Sequence, residues 1–506
     1  IPNVVRLALR KLQVPTSIYK YNSIQEAWED GAIVFGRENY RGRNAYIAFK
    51  DINMLMQHTY CIGGTGAGKS YWLSFLALQI ATIAKTGFTF FDVKGDVADD
   101  LLRHLPQSEW DRVVYVDLQD SFHFLPFNIL KQENISVYKL TELIVSTFIK
   151  VFSEGSIKEH SQNVLRNALI AVISTDPDAT LLEVYRLLTD EGYLVQTLQR
   201  MQEIENYEYH DTMQFWLEYS QEKSKTKKDT VKAILNKLAL IVQNERPRFT
   251  FAQKENKLNW RQLMDERKIV LVNLSMGQNE PQILDFFGTL FTSFISKATF
   301  SRDDTPRDQR VPHIFFLDEF QRFVRTEDDM TTLLELARSY GLGLVLAHQS
   351  VAQLPTKLLK MIKDNTFTQI ALPVGDASAP DISKMLSTDT TKLSTSDLKA
   401  KEKGKYGGYG LLRLLSPEPF SFESIDMSTV FKPVSFAQVQ KWKQAYKAQE
   451  YSSMDEVKQD INIRYQFSKR LLERWQKEQE EEERKLKSHS GKISKKEFIK
   501  QWEGVI

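Results

Sequence analysis

Eight consecutive residues, Gly63-Gly64-Thr65-Gly66-Ala67-Gly68-Lys69-Ser70, have the types and spacing of a phosphate-binding loop, G-x-x-x-x-G-K-[ST]. Glycines let a backbone wrap an anion with its N–H groups pointing inward. Lys69 can reach the β- and γ-phosphates of a nucleoside triphosphate, and the Ser70 hydroxyl can hold Mg²⁺, so ATP and Mg²⁺ are the expected cofactors. A second pair, Asp318-Glu319, ends the apolar run Ile314-Phe315-Phe316-Leu317. Beside such a loop, Asp318 would orient Mg²⁺, directly or through water, and Glu319 would polarise the attacking water as general base. Gln349 follows the next apolar run, where an amide can hydrogen-bond a γ-phosphate or the water and report whether the triphosphate is intact. Arg338 ends the run Met330–Arg338, which reads as a helix; it could act on a neighbouring subunit's γ-phosphate, but on spacing alone it reads as a surface arginine paired with Glu335 or Asp329. No metal-ligand spacing of His, Cys and carboxylates is readable, nor any Ser/His/Asp arrangement.

These groups need elements to hold them. Met56–Ile62 reads as a strand entering the loop, and Tyr71–Ile80 as a helix leaving it with its N-terminus toward the phosphates. Thr86–Val93, Arg112–Asp117, Lys268–Leu274, Ile314–Asp318, Leu344–His348 and Thr368–Leu372 read as further strands, and Ile314–Leu317 is continuously apolar, as in a sheet buried on both faces. Alternation of strands with helices predicts an α/β fold with a mostly parallel sheet, and ligands in such folds sit beyond the carboxyl ends of the strands. From about 131 to 262 apolar residues recur instead at helical spacing, among them Val164, Leu165, Ala168 and Leu169, then Val231, Ile234, Leu235 and Leu238. The expected organisation is therefore N-terminal strands over 1–57, a nucleotide-binding domain over 58–130 and 263–425, an all-helical insertion over 131–262, and a charged helical extension over 433–506. That extension includes the acidic run Glu480–Glu483, which reads as a solvated face.

Bulk properties narrow the partners. A chain of 506 residues with 42% hydrophobic and 26% charged residues is globular and too long for one ordinary core. The net charge of +2 means that any contact with a polyanion must come from local clusters, such as Lys223, Lys225, Lys227 and Lys228, which read as a loop able to touch phosphates. The single cysteine, Cys61, cannot form an internal disulfide and suits a reducing, cytoplasmic setting. No apolar run reaches the roughly 20 residues needed to span a bilayer. The chain opens at Ile1 rather than Met, which leaves room upstream for a segment such as a membrane anchor.

With these residues in hand, the chain resembles the HerA/FtsK superfamily of P-loop pumping ATPases, and within it the type IV secretion coupling proteins of bacterial conjugation. Gly64–Ser70 is similar to the family's G-T-G-x-G-K-S, Asp92-Val93-Lys94-Gly95-Asp96 to D-P-K-G-[DE], and Phe127-Asn128-Ile129-Leu130 to F-N-P-L. Leu317-Asp318-Glu319-Phe320 matches L-D-E-[FA], and Glu335–Gly341 followed by His348-Gln349-Ser350 resembles E-x-x-R-x-x-G with its trailing glutamine. Val93 and Ile129 stand where the family has proline. The resemblance implies a RecA-like core, ATP hydrolysed at the interfaces of a homo-hexamer with Arg338 acting in trans, and DNA threaded through the centre. It further implies secretion-system, relaxosome or nuclease partners, and a place at the inner face of the cell membrane through an anchor or partner proteins. The function expected is an ATP-driven DNA translocase of conjugative transfer. The alternatives are a secretion-assembly ATPase that handles protein, a HerA-type motor serving a nuclease or defence effector, and a nucleotide-gated docking platform.

Overall fold

The computed structural model of the chain describes residues 10–132, 135–152, 158–204, 207–222, 224–275, 281–323, 327–399, 406–465 and Lys477. In chain order the strands are β1 (Tyr19–Tyr21), β2 (Ile33–Glu38), β3 (Tyr46–Phe49), β4 (Thr59–Ile62), β5 (Gly87–Asp92), β6 (Val113–Asp117), β7 (His123–Phe124), β8 (Ile269–Asn273), β9 (His313–Asp318), β10 (Leu342–His348), β11 (Thr368–Ala371), β12 (Gly407–Leu412), β13 (Phe420–Glu423) and β14 (Ser452–Ser453). Among the described residues all but β7 and β14 join one 12-stranded sheet, ordered β1-β3-β2-β13-β12-β11-β4-β10-β9-β5-β8-β6. From β11 to β6 every neighbour is parallel. From β12 to β1 every pairing is antiparallel.

The parallel strands are buried along nearly their whole length because both their faces are covered. In β9, Phe315 and Leu317 enter one core, while Ile314 and Phe316 enter the other. In β5, Phe91 belongs to the first core and Phe88 and Phe90 to the second. Strand alternation sends successive side chains to opposite faces, so two cores need two apolar sets. The helix Lys69–Thr82 fills the second face and is buried along nearly its whole length, which explains why it is apolar all round. Helices between β7 and β8 close the first face: Val164, Leu165, Ala168, Leu169, Ile234 and Leu238 join the same core as Phe315 and Leu317.

The N-terminal strands extend the sheet and do not merely lead into it. β2 pairs with β13 across almost 400 residues of sequence, Phe422 opposite Glu38. A register shift between Val34 and Gly36 breaks the β2–β3 ladder there. Buried Gln79, on the helix Lys69–Thr82, makes up the loss: its amide donates to the Val34 carbonyl at 2.7 Å and its oxygen accepts from Val34 N–H at 2.8 Å and the Trp28 indole at 2.9 Å. One side chain thus ties the antiparallel wing to the helix behind the P-loop, satisfying buried backbone groups that would otherwise cost about 1–3 kcal/mol each.

At the far edge, β6 has a neighbour on one side only. The helix Phe436–Glu450 and the turn after it cover that edge. Tyr451 donates its hydroxyl to the Tyr115 carbonyl at 2.7 Å and accepts from Asp117 N–H at 2.8 Å, and Lys447 pairs with Asp117 and Asp120 at 2.7 Å each. An exposed strand edge invites pairing with other chains, and this segment blocks it. The start of the charged C-terminal stretch is therefore docked, not a solvated arm. The acidic run Glu480–Glu483 lies outside the described residues.

Two local expectations change. Of the basic residues read as a loop, Lys223 lies outside the described residues, as do the side chains of Lys225 and Lys228, and the chain from Ser224 to Val242 is helical. Lys227 donates to the Ser220 carbonyl at 2.7 Å and stands over the Tyr219 ring. The helix that was to carry Arg338 stops at Leu336; Ala337–Tyr340 forms a tighter 3₁₀ turn ending at Gly341, whose φ of +81° a glycine adopts without strain. Among the described residues no helix is long and apolar enough to cross a membrane.

Candidate functional site: a phosphate loop at the carboxyl ends of β4, β9 and β10

β4 delivers the loop and the helix Lys69–Thr82 leaves it. Gly66 and Gly68 have φ of +68° and +92°, a conformation that places successive N–H groups on one side of the chain. Gly64 N–H donates to the Pro373 carbonyl at 2.8 Å and Gly63 N–H to the His348 carbonyl at 3.3 Å, so β10 and the turn after β11 hold the loop's entry. At Gly68 any Cβ would lie 2.7 Å from the Tyr406 ring, so the site needs glycine for space as well as for φ.

The charged groups converge on the loop. Lys69, almost fully buried, lies 3.3 Å from an Asp318 carboxylate oxygen and 3.5 Å from one of Glu319. Burial alone would lower its pKa, but the two carboxylates outweigh it and hold the ammonium above its ordinary value. Ser70 Oγ donates to Asp318 Oδ2 at 3.2 Å. A hydroxyl and a carboxylate at that separation, with the helix N-terminus behind them, are hard oxygen donors suited to Mg²⁺, and the loop N–H groups are suited to phosphate, so the residues present fit Mg²⁺–ATP.

Glu319 sits just past β9 with φ +55° and ψ +46°, a left-handed conformation that costs a non-glycine residue about 1–2 kcal/mol. Strain of this kind lets the side chain turn back over the strand end. One oxygen, Oε2, accepts from the Gln321 amide at 2.9 Å. The other, Oε1, is buried with no hydrogen-bond donor and only the Lys69 charge nearby. An oriented carboxylate oxygen with unused acceptor capacity can take a proton from water. Gln349 Oε1 accepts from Thr65 Oγ1 at 2.9 Å, which sets the amide directly on the loop. Next to it, His348 meets the Tyr60 hydroxyl at 2.5 Å across β10 and β4. Burial, and after it the Lys69 charge, pushes this imidazole down to about 4, so it is neutral at physiological pH.

Gly63, Gly64, Thr65, Gly66, Ala67, Gly68, Lys69, Ser70, Asp318, Glu319 and Gln349 are therefore brought together, and Arg338 is not. It lies before β10, at the opposite end of the strand from Gln349, which at about 3.3 Å per residue is roughly 20 Å away. Its side chain is exposed and forms no ion pair with Glu335; the Asp329 side chain lies outside the described ones. Sequence reasoning also passed over Lys94, whose ammonium approaches Ser70 Oγ to 3.2 Å and Asp318 Oδ2 to 4.0 Å. The sequence signal was the turn-forming run Asp92-Val93-Lys94-Gly95; in the structure Asp92 Oδ1 accepts from Lys94 and Gly95 N–H and Oδ2 from Ala98 N–H, each at 2.9 Å. Buried Cys61 has its thiol pushed up to about 12 by desolvation and is inert.

The family model described as "Helicase HerA, central domain" matches residues 41–293, half of the chain. This chain belongs to the HerA/FtsK superfamily. A second model, "TraM recognition site of TraD and TraG", matches residues 312–418, which run from β9 past β12. Among solved structures the fold is similar to the bacterial conjugative coupling protein TrwBdeltaN70 in its unbound form, with a TM-score of 0.53 at 11% identity, covering 83% of this chain and 94% of that one. It is also similar to plasmid coupling protein TrwB in complex with ADP and Mg²⁺ (TM-score 0.52, 11% identity, 83% and 95% covered). The VirB4 of Thermoanaerobacter pseudethanolicus is likewise similar (TM-score 0.51, 14% identity, 78% and 96% covered). No curated protein matches the sequence.

Proposed function

We propose that this chain is an ATP-driven DNA translocase that works as a homo-hexamer in conjugative or type IV secretion-type transfer. One observation carries the reading. Lys69, Ser70, Asp318, Glu319 and Gln349 assemble within a single chain, while Arg338 stands exposed roughly 20 Å off at the other end of β10. A nucleotide site that Arg338 cannot reach within its own chain, on a chain that carries that arginine exposed at the opposite edge, suits head-to-tail packing around a ring.

ATP bound with Mg²⁺ would supply the phosphoanhydride whose cleavage drives movement. Lys69 and the loop N–H groups bind the phosphates. Ser70 holds the ion, with Asp318 behind it. Glu319 withdraws the proton from the attacking water, and its contact with Gln321 keeps that carboxylate aimed. Gln349 reads the γ-phosphate through the loop it touches. Arg338 neutralises charge in the neighbouring protomer's site. TrwB structures described with ADP and Mg²⁺ support the cofactor pair, and the match to a TraM recognition region supports a relaxosome protein as partner.

The test is ATPase activity with and without double-stranded DNA. DNA should stimulate turnover, and the stimulation should fall steeply between 50 and 200 mM salt, because Lys and Arg contacts to phosphates release counterions (order of magnitude 10³ or more for several contacts). Turnover indifferent to DNA would move the reading to a protein-handling assembly ATPase. Absence of any calorimetric affinity for ATP with Mg²⁺ would end the nucleotide reading itself.

A further inference from the structure

The exposed loop that carries Arg338 is fastened from beneath by two other arginines. Arg302 is fully buried, and a buried guanidinium must place its donors or pay a desolvation cost of several kcal/mol. One of its terminal nitrogens, Nη1, reaches the carbonyls of Val311, Tyr340 and Gly341 at 2.9, 3.3 and 3.4 Å, and Nη2 pairs with Asp265 at 2.7 Å. Arg310 donates from Nη1 to the Ser339 carbonyl at 2.6 Å and from Nε to that of Thr305 at 2.9 Å, and its guanidinium covers the Tyr340 ring at 4.6 Å. Gly341 closes the turn: its N–H donates to the Arg338 carbonyl at 3.1 Å, and its own carbonyl accepts from His313 N–H at 2.9 Å. Any Cβ on Gly341 would lie 3.0 Å from Arg302 Nη1, so the glycine makes room for the clamp as well as supplying the φ.

Every carbonyl from Ser339 to Gly341 is therefore held by Arg302, Arg310 or β9, and only the Arg338 side chain projects free. We propose that Arg302 and Arg310 are positioning residues for Arg338: they fix the shape of its loop so that the guanidinium reaches the γ-phosphate of the next protomer. This rests on the trans role given to Arg338 above. Both arginines lie on the segment 301–312 that precedes β9, at the end of that strand away from Asp318, and outside the E-x-x-R-x-x-G stretch.

Mixed assemblies test it, because positioning of a trans group acts in the subunit that donates the arginine and not in the one that binds nucleotide. Arg338→Ala subunits keep the P-loop and lose the finger; Lys69→Ala subunits do the reverse. Mixing them should restore turnover at the hybrid interfaces. Adding Arg310→Ala to the Lys69→Ala subunit should cut that restored turnover at least tenfold. Adding it to the Arg338→Ala subunit should leave the restored turnover within twofold. Arg302→Lys in place of Arg310→Ala should give a smaller loss with the same direction, since an ammonium can serve one carbonyl but not hold the fork. Equal losses in both subunits, or no loss in either, would overturn the positioning role while leaving the finger intact. No restoration in the first mixture would overturn the trans role of Arg338 and this inference with it.

Discussion

The two ends of β10 differ in how complete they are. At its carboxyl end, Gln349 touches the P-loop and His348 meets Tyr60, and Lys69 finds two carboxylates within 3.5 Å. Charge there is buried and internally matched. At its amino end, Arg310, Arg302 and Gly341 secure a turn that carries the exposed side chain of Arg338, whose pKa is lowered by partial burial and then by the like-charged Arg307. The first end is built to receive a ligand, the second to be offered to something else. A rigid seven-residue strand holds them at a constant separation, so a protomer cannot apply its own Arg338 to its own phosphates. On the proposed reading the unit of catalysis is a pair of protomers.

The largest effect is expected at Glu319. Glu319→Gln retains the shape and the Gln321 neighbour but cannot accept the proton, so turnover should fall by several orders of magnitude while calorimetric affinity for ATP is kept. Turnover near normal in that variant removes Glu319 from the chemistry. Next in size is Arg338→Ala, which should lower turnover by about 10³ in assembled protein and leave residual activity of a dilute protomer unchanged. Equal loss in both states would mean that Arg338 acts within its own chain. Gln349→Ala should cost about tenfold in turnover, the size expected for one hydrogen bond to a charged group, with little change in nucleotide affinity. An unaltered rate would leave the Thr65 contact as a purely structural one.

The broadest effect concerns pH and acts on stability, not on turnover. His58 is pushed down to about 4, chiefly by burial, with the charge of Arg338 acting in the same direction, and His313 to about 3 by burial and by Arg302. His348, at the other end of the sheet, is pushed down to about 4. All three are neutral when folded and would bind protons on unfolding below their ordinary value of 6.5. Unfolded chains then hold more protons than folded ones, so stability should decline as pH drops from 6.5 toward 4, by about 1.4 kcal/mol per pH unit for each histidine. Urea titrations at pH 7 and pH 5 measure this; equal midpoints would show that these imidazoles are not held neutral. His313→Asn should soften the slope at the Arg302 end and His348→Asn at the phosphate-loop end, separating the two regions.

Much of the fold could be read in advance because its signals are local. Ile314–Leu317 is apolar at every position since both sides of β9 are covered, and a strand of that kind ending in Asp-Glu gains its meaning from the P-loop elsewhere in the chain. The misread details are those in which a distant group overrides local preference. Arg338 was placed on a helix, yet Gly341 and the clamp arginines draw that turn into a 3₁₀ shape. β12 and β13 carry no strong pattern of their own; they exist because β2 and β11 flank them. Lys94 stands in the motif Asp92-Val93-Lys94-Gly95-Asp96, but its place beside Ser70 follows only once Asp92 gathers the backbone of that turn.

By itself the order of residues determined the kind of fold and the existence of a phosphate cradle, because glycine spacing, strand burial and helix periodicity act over a few residues at a time. Only the tertiary structure decided which groups share a space. Bringing Lys69 to Asp318, Thr65 to Gln349 and Lys94 to Ser70, while leaving Arg338 on the far edge, depends on strand order, and strand order is set by packing between segments hundreds of residues apart.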